Sequence, residues 1–73
     1  MQTLILKYIN AEDGLEARIY FHGDEHAFPY TVEFWDTDAN ESAFAKRLTE
    51  LERAQAFGRA FCGENRIAET LNV

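Results

Sequence analysis

Two stretches of strict two-residue alternation constrain the fold of this chain more than any other feature. The first sets Leu15, Ala17, Ile19 and Phe21 against Glu16, Arg18, Tyr20 and His22, and the second sets Phe28, Tyr30, Val32 and Phe34 against Pro29, Thr31, Glu33 and Trp35. A period of two is typical of a strand with one buried face. We therefore predict two half-buried strands in this part of the chain.

Residues 3 to 9 predict a further strand, but both of its faces are apolar, so the sequence does not tell which face is buried. The loop from Asn10 to Gly14 contains an Asp-Gly pair, which is typical of a hairpin. We therefore expect the first two strands to be antiparallel neighbours.

Residues 36 to 48 allow two interpretations. In one, a long helix starts at Asn40. In the other, Asp38, Ala39 and Asn40 form a hairpin turn, with Asn40 in the left-handed conformation that asparagine tolerates, and a fourth strand runs from Ser42 to Leu48. We favour the second interpretation because residues 49 to 52, Thr-Glu-Leu-Glu, match a capping box, which marks the start of a helix.

The predicted helix runs from about Glu50 to Cys62 and ends at Gly63. Its apolar stripe comprises Leu51, Ala54, Gly58 and Phe61, with Phe57 on its flank. The small residues Ala54 and Gly58 would let the helix lie close to the sheet. Residues 64 to 73 fit either a short strand or a loose turn of helix.

These elements predict an α+β fold, with an antiparallel sheet of three or four strands (order β-β-β-β-α) and one helix packed on one face. The 73 residues are expected to form a single domain, 1–73. A chain of this size buries only about 60% of its unfolded surface, which leaves little room for a deep cleft. We predict that the protein is not an enzyme and has no cofactor.

The chain carries 13 acidic and 7 basic residues, for a formal net charge of −6. This charge disfavours direct binding to nucleic acid or to an anionic membrane, and it favours a cationic partner, unless the acidity only maintains solubility. The lone Cys62 and the absence of a long apolar run predict a soluble, cytoplasmic protein.

Residues 21 to 30, FHGDEHAFPY, contain both histidines and two carboxylates. A metal site at His22 and His26 is chemically reasonable, but this segment lacks the helical geometry of an HExxH motif. We expect a structural turn between two strands and no metal. Cys62 lies at the negative end of the helix dipole, which raises a thiol pKa, so we expect a buried structural residue and not a nucleophile.

The carboxylates of the first and third turns are the first candidate binding surface. In an up-and-down sheet these turns lie at the same end, roughly 10 Å apart. We call this cluster the acidic pole; it comprises Glu12, Asp13, Asp36, Asp38 and Glu41. The alternative is that these are ordinary solvated turn residues.

The sheet face that points away from the helix, here called the outer face, is the second candidate. We predict that it carries Tyr20, His22, Thr31, Glu33 and Trp35, together with either Ile5 and Ile9 or Leu4, Leu6 and Tyr8. An exposed Tyr and Trp on adjacent strands are typical of a protein-binding hot spot. Self-association through this face is an equal alternative.

Small size, acidity and a one-helix-on-sheet layout resemble the inhibitor proteins carried by phages and plasmids, namely anti-CRISPR and anti-restriction proteins. The resemblance covers the overall plan of the chain and no sequence motif. It implies blocking of a nucleic-acid-binding effector, with binding energy from Trp35 and Tyr20 and steering from the acidic turns.

We therefore predict a non-enzymatic binding protein that docks on a basic surface of a larger protein. The alternative is a small structural or regulatory homodimer that pairs through the outer face. A metal-dependent activity at His22 and His26 is a third hypothesis.

Overall fold

The structure, a computed structural model, describes residues 2 to 71, which form a five-stranded antiparallel sheet and one helix. The elements are β1 (Thr3–Asn10), β2 (Leu15–Phe21), β3 (Tyr30–Asp36), β4 (Glu41–Leu48), α1 (Leu51–Cys62) and β5 (Ile67–Thr70), and the sheet order is β4-β3-β2-β1-β5. The predicted α+β class is confirmed. The sheet has five strands where three or four were predicted, because residues 67 to 70, for which either a short strand or a turn of helix was expected, pair with β1. Residues 72 and 73 of that segment lie outside the described residues.

A bulge at Ile5 explains why both faces of β1 are apolar. Leu4 pairs with Tyr20 but Leu6 pairs with Ile19, so the extra residue shifts the register between them. Leu4 therefore lies on the outer face, whereas Leu6 and Tyr8 are buried on the face covered by α1, here called the inner face. The predicted set of Leu4, Leu6 and Tyr8 is thus divided between the two faces, and Ile9 lies on the outer face.

The core lies between α1 and the inner face. Its buried apolar residues are Leu6, Tyr8, Ala17, Ile19, Val32, Phe34, Leu48, Ala54 and Cys62. The helix approaches most closely at Gly58, where an added Cβ would lie 2.7 Å from Cδ2 of Tyr8 and 3.3 Å from Cβ of Ala17. The prediction that a small residue brings the helix close to the sheet is confirmed at this position.

The ends of α1 differ in how well the sequence predicted them. The helix ends before Gly63, as predicted. Gly63 has a φ of 78°, and its N–H donates to the carbonyl of Arg59 across 2.9 Å. At the other end Glu50 is the N-cap, and no side chain caps the helix, so the predicted capping box is wrong. Leu48 is buried as the last residue of β4, and the chain uses Thr49 and Glu50 to turn from the sheet edge into the helix.

The segment before α1 is a hairpin, with the turn at residues 37 to 40. Asn40 has a φ of 54°, as the hairpin interpretation predicted. The strand prediction fails at Phe28, which lies in the loop before β3 and is 48% exposed. Pro29 accepts a hydrogen bond from the N–H of His22 across 2.7 Å but has no N–H to return, so the β2–β3 ladder ends there. Within residues 2 to 71, no helix is long and apolar enough to cross a membrane.

Candidate functional site

The first and third turns of the sheet touch each other. The N–H of Thr37 donates to the carbonyl of Gly14 across 2.9 Å. Gly14 has a φ of 68°, and a Cβ added there would lie 2.5 Å from Oδ2 of Asp38. The positive φ favours glycine at this position, and the missing side chain leaves room for the exposed carboxylate of Asp38, so Gly14 suits the close approach of the two halves of the acidic pole.

Hydrogen bonds hold three of the five carboxylates of the acidic pole in place. Oδ1 of Asp36 accepts from the N–H groups of Asp38 and Ala39, at 3.1 and 3.2 Å. Asp13 accepts from Nδ2 of Asn10 at 3.0 Å, and Glu12 accepts from Nδ2 of Asn65 at 3.2 Å. These donors are all neutral, and none of the five carboxylates forms an ion pair with a described Lys, Arg or His. The negative charge of the acidic pole is therefore uncompensated.

The carboxyl end of α1 lies at the same end of the molecule. The side-chain amide of Asn10, which is 1% exposed, donates to the carbonyl of Cys62 across 2.7 Å. The helix dipole places a partial negative charge at this end and so strengthens the potential of the acidic pole. Asn10 was not among the residues predicted from the sequence. The feature that could have identified it is its position on β1, where it is a polar residue on the same face as the buried Leu6 and Tyr8.

Cys62 is buried, as predicted, and its thiol donates to the carbonyl of Tyr8 across 3.3 Å. Burial is the largest influence and raises the pKa of this thiol. The backbone of Ala17 lowers it by less, and the smaller effects of Glu16, which raises it, and Arg66, which lowers it, oppose each other. A high thiol pKa suppresses the thiolate, which is the reactive form.

A connected group of polar side chains occupies the centre of the outer face. The guanidinium of Arg18 stacks on the ring of Trp35, 3.9 Å from its centroid, and Nε of Arg18 pairs with Glu16. Nε1 of Trp35 donates to Oε1 of Glu33 across 3.0 Å. Sequence analysis placed Trp35 and Glu33 on this face but missed the pairing of Arg18 and Glu16 that fixes the tryptophan.

Tyr20 belongs to the same group. Burial raises the pKa of its phenol, and the negative charge of the nearby Glu33 raises it further, while Arg18 partly offsets them. The predicted residues Tyr20, Glu33 and Trp35 therefore lie together. Trp35 is followed directly by Asp36, so the outer face and the acidic pole adjoin at this point.

Residues 22 to 29 connect β2 to β3, so the predicted turn between these two strands is present. Nε2 of His22 shares a hydrogen bond of 2.7 Å with Oγ1 of Thr31, and the rings of His22 and His26 lie 6.0 Å apart between centroids. Across residues 2 to 71, no group of three or more His, Cys, Asp or Glu side chains is placed to hold a metal ion.

No protein-family model, no curated protein and no solved structure matches this chain. Any assignment of function therefore depends on the two adjoining surfaces themselves, the acidic pole and the Trp35 group of the outer face.

Proposed function

We propose that this is a non-enzymatic binding protein that docks its acidic pole on a basic surface of a larger protein. The contact of the first and third turns at Gly14 carries the proposal, because it gathers five carboxylates without a cationic partner. Charges held together in this way steer a cationic partner toward the molecule and accelerate its association.

The Trp35 end of the outer face supports the same proposal. Trp35 is half-buried and held in one orientation by Arg18 and Glu33, so little side-chain entropy is lost when a partner contacts it. A fixed aromatic beside a charged rim is a common arrangement at the centre of a protein interface.

The proposed partner is a nucleic-acid-binding effector, as in the resemblance to anti-CRISPR and anti-restriction proteins. Such effectors bind phosphates through clustered Lys and Arg, and a row of carboxylates competes for the same surface. The setting that we propose is cytoplasmic, because an unpaired cysteine such as Cys62 is typical of reducing compartments.

A homodimer formed through the outer face is the second candidate. Ile67 on β5 is 64% exposed and lies opposite Ile9 at this face. Lys7 and Glu69 form the adjacent cross-strand pair, so the apolar patch is small and has a charged border. Sedimentation equilibrium tests this candidate: a concentration-dependent dimer that Ile67→Lys disrupts would support it, and a monomer at all concentrations would exclude it.

The docking proposal is tested by neutralising the acidic pole without changing its shape. The pole variant is E12Q/D36N/D38N/E41Q, in which the amide oxygen at residue 36 still accepts the turn hydrogen bonds. The control variant, D24N/E25Q/E50Q/E52Q, removes four carboxylates at the opposite end of the sheet. Each variant changes the net charge from −6 by +4, to −2.

Both variants are assayed against a panel of purified CRISPR effector complexes and restriction enzymes, with binding rates measured at several salt concentrations. For an effector that binds, we expect the pole variant to associate about tenfold more slowly, with a flatter salt dependence. The control should behave like the wild type. Equal slowing in the two variants would show that only net charge matters, and a lack of binding to every effector would contradict the proposed partner class.

A further inference from the structure

Three side chains form a row across the outer face at the end opposite the acidic pole. His22 follows β2, Thr31 lies on β3, and Arg47 on β4 is the cross-strand partner of Thr31. The 2.7 Å hydrogen bond between Nε2 of His22 and Oγ1 of Thr31 fixes the imidazole in this row. Neighbouring strands are about 4.8 Å apart, so one small ligand can reach all three side chains.

The loop between β2 and β3 forms a wall beside this row. It turns at Gly23, which has a φ of 111°, and the N–H of His26 donates to the carbonyl of Gly23 across 3.3 Å. The result is an open cavity of about 320 Å³, lined by His22, His26, Ala27, Phe28, Thr31 and Arg47. This volume is near the lower end of the range for small-molecule sites.

The residues that line the cavity include one cation, Arg47, and no carboxylate, although the chain as a whole has a net charge of −6. The side chain of Arg47 makes no hydrogen bond or ion pair with any residue from 2 to 71, so its guanidinium donors remain open to a ligand. Two imidazoles accompany Arg47, and none of the lining residues is a carboxylate. The nearest acidic residues along the loop, Asp24 and Glu25, are exposed and do not line the cavity.

We propose that this cavity binds a phosphate monoester that carries a planar ring. The guanidinium of Arg47 can donate two parallel hydrogen bonds to phosphate oxygens. When Nε2–H of His22 is the donor in its hydrogen bond with Thr31, the Thr31 hydroxyl keeps its own proton for the anion, and the ring of His26 offers a further N–H donor. The ring of Phe28, which is 48% exposed beside the cavity, offers a surface on which a planar group can stack.

This site is independent of the proposed docking function, because it uses no residue of the acidic pole. Its ligand is one small molecule and not a nucleic-acid strand, since the cavity is small and the chain as a whole is strongly acidic.

The test is a titration of the full chain with adenosine monophosphate, inorganic phosphate and adenosine, followed by amide chemical shifts and by calorimetry. Adenosine monophosphate should bind most tightly, phosphate more weakly and adenosine not measurably, with shift changes centred on His22, His26 and Thr31. Binding of adenosine as tight as that of the monophosphate, or no response to either phosphate compound, would overturn the proposal.

Three variants locate the contacts. R47Q should weaken binding of both phosphate compounds about tenfold or more. R53Q removes the same charge from the exposed surface of α1 and should leave the affinities unchanged. F28A should reduce the affinity for adenosine monophosphate to that for inorganic phosphate and leave the latter unchanged. Equal losses in R47Q and R53Q would mean that the anions respond only to net charge, and the site would be rejected.

Discussion

The side-chain amide of Asn10 donates to the carbonyl of Cys62 across 2.7 Å, and this contact joins the end of β1 to the end of α1. The same amide donates to Asp13, while its oxygen accepts from the N–H of Asp13 across 3.1 Å. One buried side chain therefore positions both the helix end and the first turn. The geometry of the acidic pole depends on it.

Replacing Asn10 with Ala should lower the free energy of unfolding by about 2–3 kcal/mol, because it leaves the buried carbonyl of Cys62 without its side-chain donor. Urea unfolding, followed by the fluorescence of the single tryptophan Trp35, measures the loss. The matched control is Asn65→Ala, which removes an exposed amide bound to Glu12 and should cost less than about 0.5 kcal/mol. Equal losses in the two variants would contradict the structural role of Asn10.

Replacing Gly58 with Ala should destabilise the protein by about 1–3 kcal/mol, although alanine is normally the better helix former. The added methyl group would lie 2.7 Å from the ring of Tyr8 and 3.3 Å from Ala17, and both of these residues are buried. Thermal and urea unfolding measure the change. In the control Ala56→Gly, at an exposed helix position, only the propensity cost of about 1 kcal/mol is expected. A stabilised Gly58→Ala protein would mean that the helix can move away from the sheet.

Removing Arg18 should destabilise the fold more than removing Arg18 and Glu16 together. The side chain of Glu16 is only 11% exposed, so Arg18→Gln leaves a nearly buried carboxylate without its ion-pair partner. We expect Arg18→Gln to lower the free energy of unfolding by about 1–3 kcal/mol, a range that already allows for the partial exposure of Arg18. The double variant Arg18→Gln/Glu16→Gln should recover part of this loss, because it no longer contains the unpaired carboxylate. Urea unfolding of the wild type, the two single variants and the double variant gives the coupling free energy between Arg18 and Glu16. Losses that simply add would contradict a stabilising ion pair.

Tyr20 should ionise above the usual range for tyrosine, because burial and then Glu33 raise the pKa of its phenol. The neutral phenol is favoured in the folded state. Its contribution to stability is therefore present below the unfolded pKa of about 10 and is lost as the pH rises through the folded pKa. The tyrosinate absorbance of the wild type minus that of Tyr20→Phe isolates this group. Glu33→Gln should lower the Tyr20 pKa, and an ordinary pKa in the wild type would contradict the environment described here.

Local features explain what the sequence predicted correctly. The two-residue alternation around Ile19 and Val32 identified β2 and β3, because the side-chain period of a strand is a property of the backbone alone. The turn at Asn40 and the helix end at Gly63 were predictable for a similar reason, since few residues accept a positive φ. These features also placed the first and third turns at the same end of the sheet.

Contacts between distant residues decided the rest. Asn10 and Cys62 are 52 residues apart in the sequence, and no local sequence pattern at either residue predicts their hydrogen bond. The bulge at Ile5, the pairing of β5 with β1 and the cavity beside Arg47 likewise depend on which elements meet after folding.

The sequence by itself therefore determined the strands, the turns and the excess of negative charge, because each follows from side-chain period, backbone preference or composition. Only the tertiary structure decided how close the acidic turns lie, which side chains fix Trp35, and that Arg47 faces a cavity without a carboxylate. Those features depend on distances between residues that are far apart in the sequence. These distances are set only when the helix and the sheet pack together.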